Sequence, residues 1–155
     1  MRIRAGRESD WRHVARGNAE AAWLSFAPRY VPAIPVSTFK ARARRFDLRL
    51  RADGAARRAL FIAEDELGYA GHVWLEERGD PCSLERYTVV LTLYVTRRAR
   101  GHGTGRRLLR QAYRWGRRSG HARVQLSVAP HNATALALYR SEGFETFLYS
   151  QTRPL

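Results

Sequence analysis

At 155 residues, with 45% hydrophobic, 11% aromatic and 27% charged positions, the chain has the make-up of one domain, spanning 1–155, that can bury a single core. Its longest apolar run, Val89 to Val95 broken by Thr92, is far short of the roughly 20 residues of a membrane helix. Met1 to Arg16 alternates charged and apolar residues too closely for a signal peptide or anchor, so a cytoplasmic protein with no membrane partner is expected.

Lys and Arg total 28 against 14 Asp and Glu, a net charge of +14 that favours an anionic partner. Lys40 is the sole lysine; the bias to arginine fits the codon habit of a GC-rich genome, which does not account for the sign. Cys82 is the only cysteine, which excludes an intramolecular disulfide and a Cys-based zinc site. His13, His121 and His131 have no metal-ligand spacing, and no metal is expected.

In chain order, Met1 to Arg4 reads as a short edge strand. Ser9-Asp10 offers caps for a helix carrying Trp11, Val14, Ala15, Ala19, Ala22 and Trp23 at helical spacing. Trp23 to Pro35 is aromatic and proline-rich, without either regular period, and reads as a surface loop. Ser37 opens a second helix to about Leu50, with Phe39, Ala43, Phe46 and Leu50 on one stripe. Arg58 to Glu64 and Ala70 to Glu77 flank the hairpin composition Asp65-Glu66-Leu67-Gly68. Glu85 to Val95, rich in Tyr, Val, Thr and Leu, is long enough for a central strand.

A glycine loop follows, then a helix over Thr104 to Ser119 stopped by Gly120. Val124, Leu126 and Val128 alternate as a strand. Asn132 caps a helix carrying Leu136 and Tyr139 and ending at Gly143-Phe144, and Thr146 to Thr152 reads as a closing strand. The fold class is α/β (α+β), in the order β-α-α-β-β-β-α-β-α-β. Antiparallel hairpins come first, and one strand-helix-strand crossover makes its two strands parallel, so the sheet is mixed.

Arg100-Gly101-His102-Gly103-Thr104-Gly105 stands between a strand and a helix that opens at once. Glycines let successive N–H groups face outward, and the first helical turn adds unpaired donors and a partial positive charge, so the loop is suited to a pyrophosphate. Arg98, Arg100, Arg106 and Arg107 add cations around it. No lysine follows these glycines, which disfavours a P-loop. The Gly-x-Gly-x-Gly spacing and the lack of an acidic residue in Val124-Gln125-Leu126-Ser127 disfavour a dinucleotide fingerprint. A flexible single-strand-binding Arg-Gly segment is poorly supported by one short instance. A ligand-free turn stays open.

The loop resembles the coenzyme A motif of the GCN5-related N-acetyltransferase family, Arg/Gln-x-x-Gly-x-Gly/Ala directly after a strand. Leu93-Tyr94-Val95 before it, and Asn132, Leu138, Tyr139, Gly143 and Phe144 after it, match the family's flanking patterns, so the resemblance covers Val89 to Phe144. It implies that the fourth and fifth strands splay apart, with acetyl-CoA between them. The backbone of Leu93 and Val95 would pair with its pantetheine arm, and Arg100, Gly101, His102, Gly103, Thr104 and Gly105 would hold the pyrophosphate. Asn132 would contact the pantetheine or cap its helix, and Tyr139 would reach the coenzyme sulfur. A backbone N–H at Leu93 suits a developing oxyanion, and a phenol at Tyr139 can protonate a departing thiolate. The family's usual pair of terminal strands has room here for one; that strand serves alone, or a second subunit completes the sheet in a homodimer.

No acidic residue lies within Tyr87 to Val95, so the general base is sought elsewhere. Glu85, on the face of Val89 and Leu93 by parity, and His72, on the adjacent strand, are the candidates. Trp23, Phe26 and Tyr30, in the family's acceptor-side loop, are the other candidates for the acceptor pocket alongside His72. Cys82 lacks the nearby base that a covalent route needs, so direct transfer is expected. The expected function is acetyl transfer from acetyl-CoA to a primary amine, small molecule or peptide N-terminus. The alternatives are a non-catalytic acyl-CoA or RNA-binding protein, or an enzyme acting on an RNA-bound amine such as aminoacyl-tRNA.

Overall fold

The alternating strands pair in chain order. In the computed structural model, which describes residues 1–25 and 34–151, β1 (Arg2–Ala5), β2 (Arg58–Asp65), β3 (Gly68–Gly79) and β4 (Arg86–Val95) are antiparallel neighbours. The β2–β3 hairpin turns through Glu66-Leu67, with Asp65 Oδ1 accepting from the Leu67 amide at 3.0 Å. β5 (Val124–Leu126) joins β4 in parallel, through the crossover helix α3 (Thr104–Arg118) that such a connection requires. The mixed sheet expected from the order of elements is formed, with five of the six expected strands.

β3 is buried on both faces from Ala70 to Glu76, because helices cover the sheet on each side. On one face α3 sets Leu108 and Ala112 against Ala63, Ala70, Val73, Leu75 and Val90. Each fully buried leucine there contributes about 1.5–3 kcal/mol. On the other face lies α1 (Trp11–Ser25), whose Trp11 meets Trp74 edge-on at 5.1 Å. α2 (Val36–Ala52) packs on α1 through Trp23 and Phe39, whose rings lie 5.2 Å apart. The cap expected at Ser9-Asp10 is refined: Glu8–Asp10 is a turn of 3-10 helix leading into α1, with Asp10 accepting from the Arg7 amide and gripped by Arg4. No helix among the described residues is long and apolar enough to cross a membrane.

α4 (Ala133–Ser141) begins where Asn132 Oδ1 accepts from the Ala135 amide at 3.2 Å, the expected cap. The closing strand expected over Thr146 to Thr152 is not formed in the described part, 146–151; Thr152 lies outside the described residues. A strand needs a ladder partner, and this segment runs exposed instead, with Phe147 beside the Arg123 guanidinium at 5.9 Å.

Candidate active site

β4 outlasts its neighbour. β5 pairs with it only from Thr88 to Val90, and β4 continues alone on that side to Val95, so a gap opens between the two strands. A bulge decides what faces the gap. Trp74 pairs with Thr92 and Leu75 with Val90, which leaves Leu91 without a partner on β3 and shifts the alternation by one residue. Before the bulge the Thr88 amide points to the β5 side and bonds Arg123 O; after it the Thr96 amide points to β3 and bonds Ala70 O, both at 2.9 Å. Leu93 and Val95 therefore turn their backbone N–H and C=O into the gap, where no strand stands to receive them. Val95 O instead accepts from Arg100 Nε at 3.1 Å.

The glycine loop closes one end of this gap. Gly101 and Gly103 have φ of +78° and +73°, a region that side chains disfavour, and a Cβ on either would point into open space. Thr104, buried, anchors the loop by donating from Oγ1 to Ala99 O at 3.0 Å. The amides of 101–106 find no acceptor among the described residues; the first helical bond is Arg107 N to Gly103 O. Amides without an acceptor at a helix N-terminus fit a pyrophosphate. Gly105 faces Leu138 of α4 and Val95 of β4, so its missing side chain lets α3, α4 and β4 converge. His102 is exposed on the loop. Of the surrounding cations, Arg98 is committed to Asp65 and Arg106 to Glu142.

Tyr139 follows Leu138 on α4, with its ring 5.7 Å from Phe144, and burial pushes its hydroxyl pKa up, so the phenol keeps its proton. Glu85 is not brought to the gap. It precedes β4 at the far end, roughly 25 Å from Leu93 at about 3.3 Å per residue, and its carboxylate is paired with Arg123 at 3.1 Å. The bulge also breaks the parity argument for it, since Val90 and Leu93 now share the α3 face.

His72 is fully buried beneath α1 and cannot meet an acceptor. Its Nδ1 accepts from Tyr69 Oη at 2.5 Å and its Nε2 donates to Asn18 Oδ1 at 2.8 Å, while Asn18 Nδ2 donates to Asp47 Oδ2 at 3.0 Å. These directions require neutral imidazole, and burial pushes its pKa down to about 3. The same burial, opposed by the Asn18 bond and by Arg51, pushes Asp47 up to about 6. The chain of bonds ties both α1 and α2 to β3. Trp23 is half-buried against Phe39; Phe26 and Tyr30 lie outside the described residues.

Two residues at the gap escaped sequence reasoning. Tyr94, between Leu93 and Val95, turns to the α1 face and donates from its hydroxyl to Glu20 Oε2 at 2.9 Å. Gly17 makes this approach possible, for a Cβ there would stand 2.6 Å from Tyr94 Cδ1. A glycine inside a helical pattern was the available signal, since it marks a close neighbour.

The model of the acetyltransferase (GNAT) family matches residues 20–144, which include the gap, the glycine loop and α4. The chain belongs to this family. Among solved structures it is similar to a Pyrococcus furiosus protein described as an acetyl transferase, at 24% identity and a TM-score of 0.84 over 99% of each chain. It is also similar to a ribosomal-protein-alanine N-acetyltransferase from Brucella melitensis biovar Abortus 2308, at 17% identity and a TM-score of 0.71 over 100% of each chain. AAC(6')-Iy in complex with the bisubstrate analogue CoA-S-monomethyl-acetylneamine matches at 19% identity and a TM-score of 0.65, over 99% of this chain and 98% of its own. No curated protein matches the chain.

Proposed function

We propose that this acetyltransferase is an acetyl-CoA-dependent N-acetyltransferase that acts on a primary amine, of a small molecule or a peptide N-terminus, by direct attack in a ternary complex. The observation that carries the reading is the gap itself: backbone polar groups of Leu93 and Val95 face it, and unbonded amides of 101–106 stand at its end. Acetyl-CoA, when bound, supplies the acetyl group as a thioester. The amides of Arg100 through Gly105 hold its pyrophosphate, and Leu93 and Val95 receive the pantetheine amides along the exposed edge of β4. The Leu93 N–H serves as a donor where negative charge develops on oxygen, without reorganisation. Asn132 holds the first turn of α4, and Tyr139, protonated, is the donor for the departing sulfur.

Direct attack is supported by the position of Cys82. It is exposed in the β3–β4 turn, where its amide bonds Asp80, and so lies at the end of β4 remote from the glycine loop. The CoA-containing analogue in AAC(6')-Iy and the nitrogen acceptor in the Brucella protein's name are in keeping with the reading. Calorimetry with acetyl-CoA, followed by mass spectrometry of an amine incubated with acetyl-CoA and either wild type or Cys82→Ala, tests it. Binding and acetylated amine from both proteins are expected. A competent acetyl-Cys82 species would overturn direct transfer.

A further inference from the structure

The chain carries 14 carboxylates, and ten of them are held by arginine within 4.0 Å: Glu8, Asp10, Asp53, Glu64, Asp65, Glu76, Glu77, Asp80, Glu85 and Glu142. The acidic clusters at 64–66 and 76–77 are thereby neutralised, Glu66 excepted. Among the described residues, four carboxylates have no cationic partner: Asp47, Glu66, Glu145 and Glu20. Asp47 is buried against Asn18, Glu66 is in the β2–β3 turn, and Glu145 is in the exposed segment after α4. Only Glu20 stands at the gap. Arg16, one turn before it on α1, does not come within 4.0 Å of its carboxylate, and among the described residues the carboxylate's one side-chain hydrogen bond is the one from Tyr94.

α1 bridges the gap. Gly17 rests on Tyr94, on the β4 lip, and Leu24 O accepts from His131 Nε2 at 2.9 Å, on the β5–α4 connection that forms the opposite lip. Gly17, Glu20 and Leu24 are spaced i, i+3 and i+7, so they share the face of α1 that spans these two anchors. The stretch from Gly17 to Leu24 rises about 10 Å. Glu20 is thus the unpaired carboxylate on the crossing face, in a protein whose +14 charge would otherwise repel a cationic amine.

We propose that Glu20, oriented by Tyr94, receives the acceptor's ammonium group and takes the proton that frees its lone pair. The inference rests on the reading of the gap as the coenzyme site, and it assigns the acceptor's approach to the α1 side of the sheet. The nitrogen arrives with three hydrogens. One proton passes to the Glu20 carboxylate and on to solvent, because Glu20 is half-exposed. The freed lone pair forms the C–N bond to the acetyl carbon, the C–S bond breaks with its electron pair on sulfur, and the nitrogen's second proton balances the thiolate. The products are the amide, the thiol and one released proton.

Two coenzyme A thioethers test the assignment without knowledge of the natural acceptor. S-(2-aminoethyl)-CoA carries an ammonium two carbons beyond the sulfur, and S-propyl-CoA is its neutral counterpart. By calorimetry, wild type should bind the aminoethyl compound about tenfold more tightly, the scale of one hydrogen bond to a charged group. Glu20→Gln should bind both with the affinity of the propyl compound, whose undiminished binding shows an intact fold and coenzyme site. Glu66→Gln, which removes the unpaired carboxylate of the β2–β3 turn, should keep the preference. No preference in wild type, a preference that survives Glu20→Gln, or one equally lost in Glu66→Gln would overturn the role of Glu20 while leaving the coenzyme site standing. Failure of both compounds to bind wild type would instead overturn the coenzyme site, and the proposal with it.

Discussion

Gly17 of α1 lies so close to Tyr94 of β4 that a Cβ would stand 2.6 Å from the Tyr94 ring and 3.0 Å from His72 Cε1. No real side chain tolerates the first distance, so α1 and the sheet must part when one is added. Gly17→Ala is expected to destabilise the protein by about 1–3 kcal/mol, the usual cost of overpacking, despite the better helix propensity of alanine. Urea denaturation of both proteins measures it. A stabilised variant would mean that α1 does not rest on Tyr94.

At the glycine loop, Gly103 has φ of +73° with open space beyond its Cα. Gly103→Val should therefore cost backbone strain and place a side chain over the outward amides. Acetyl-CoA affinity should fall at least tenfold, equivalent to 1.4 kcal/mol, in a variant whose circular dichroism is unchanged. Undiminished affinity would show that the pyrophosphate is held elsewhere.

Much of this arrangement was legible in the residues. The alternation of β2 to β4, the hairpin at Asp65 to Gly68, and the glycines between a strand and a helix are local signals, and each led to the element that forms. The bulge at Leu91 was not legible, because Val89-Val90-Leu91-Thr92 is uniformly strand-forming and nothing marks which residue lacks a partner. That one residue reverses the alternation beyond it, which is why Glu85 was aligned with Leu93 in error. The Glu20–Tyr94 contact joins residues 74 apart, and only the packed helix brings them together. The alternation after Phe144 suggested a strand, yet with no ladder partner the pattern stays unused, and Phe147 and Tyr149 are 78% and 83% exposed.

The buried His72 sets a pH dependence. Its folded pKa of about 3 is below its unfolded value of about 6.5, so the unfolded chain binds the extra proton and stability falls as pH drops from about 6.5 towards 3. Asp47 acts in the opposite sense. Its folded pKa of about 6 exceeds the ordinary 3.8, so its contribution to stability rises as pH drops through that narrower window. Urea midpoints between pH 8 and 4 should decline less steeply in His72→Gln than in wild type, and more steeply in Asp47→Asn. Parallel curves for all three proteins would contradict the assignment of these charge states.

Tyr139→Phe keeps the ring against Phe144 and removes the proton donor. Turnover should fall on the order of 10²-fold, with acetyl-CoA affinity and thermal midpoint nearly unchanged. A loss of stability in proportion to the loss of rate would reduce Tyr139 to a packing residue.

The central claim is acetyl transfer to a primary amine at the gap between β4 and β5. It is tested most directly by following coenzyme A thiol release from acetyl-CoA across a panel of small primary amines and peptide N-termini, with the acetylated product identified by mass spectrometry. The account predicts thiol release that depends on the amine, matches the acetylamide one to one, and is lost in Gly103→Val. Thiol release indifferent to every amine, or acetylamide formation that survives Gly103→Val at the wild-type rate, would contradict it.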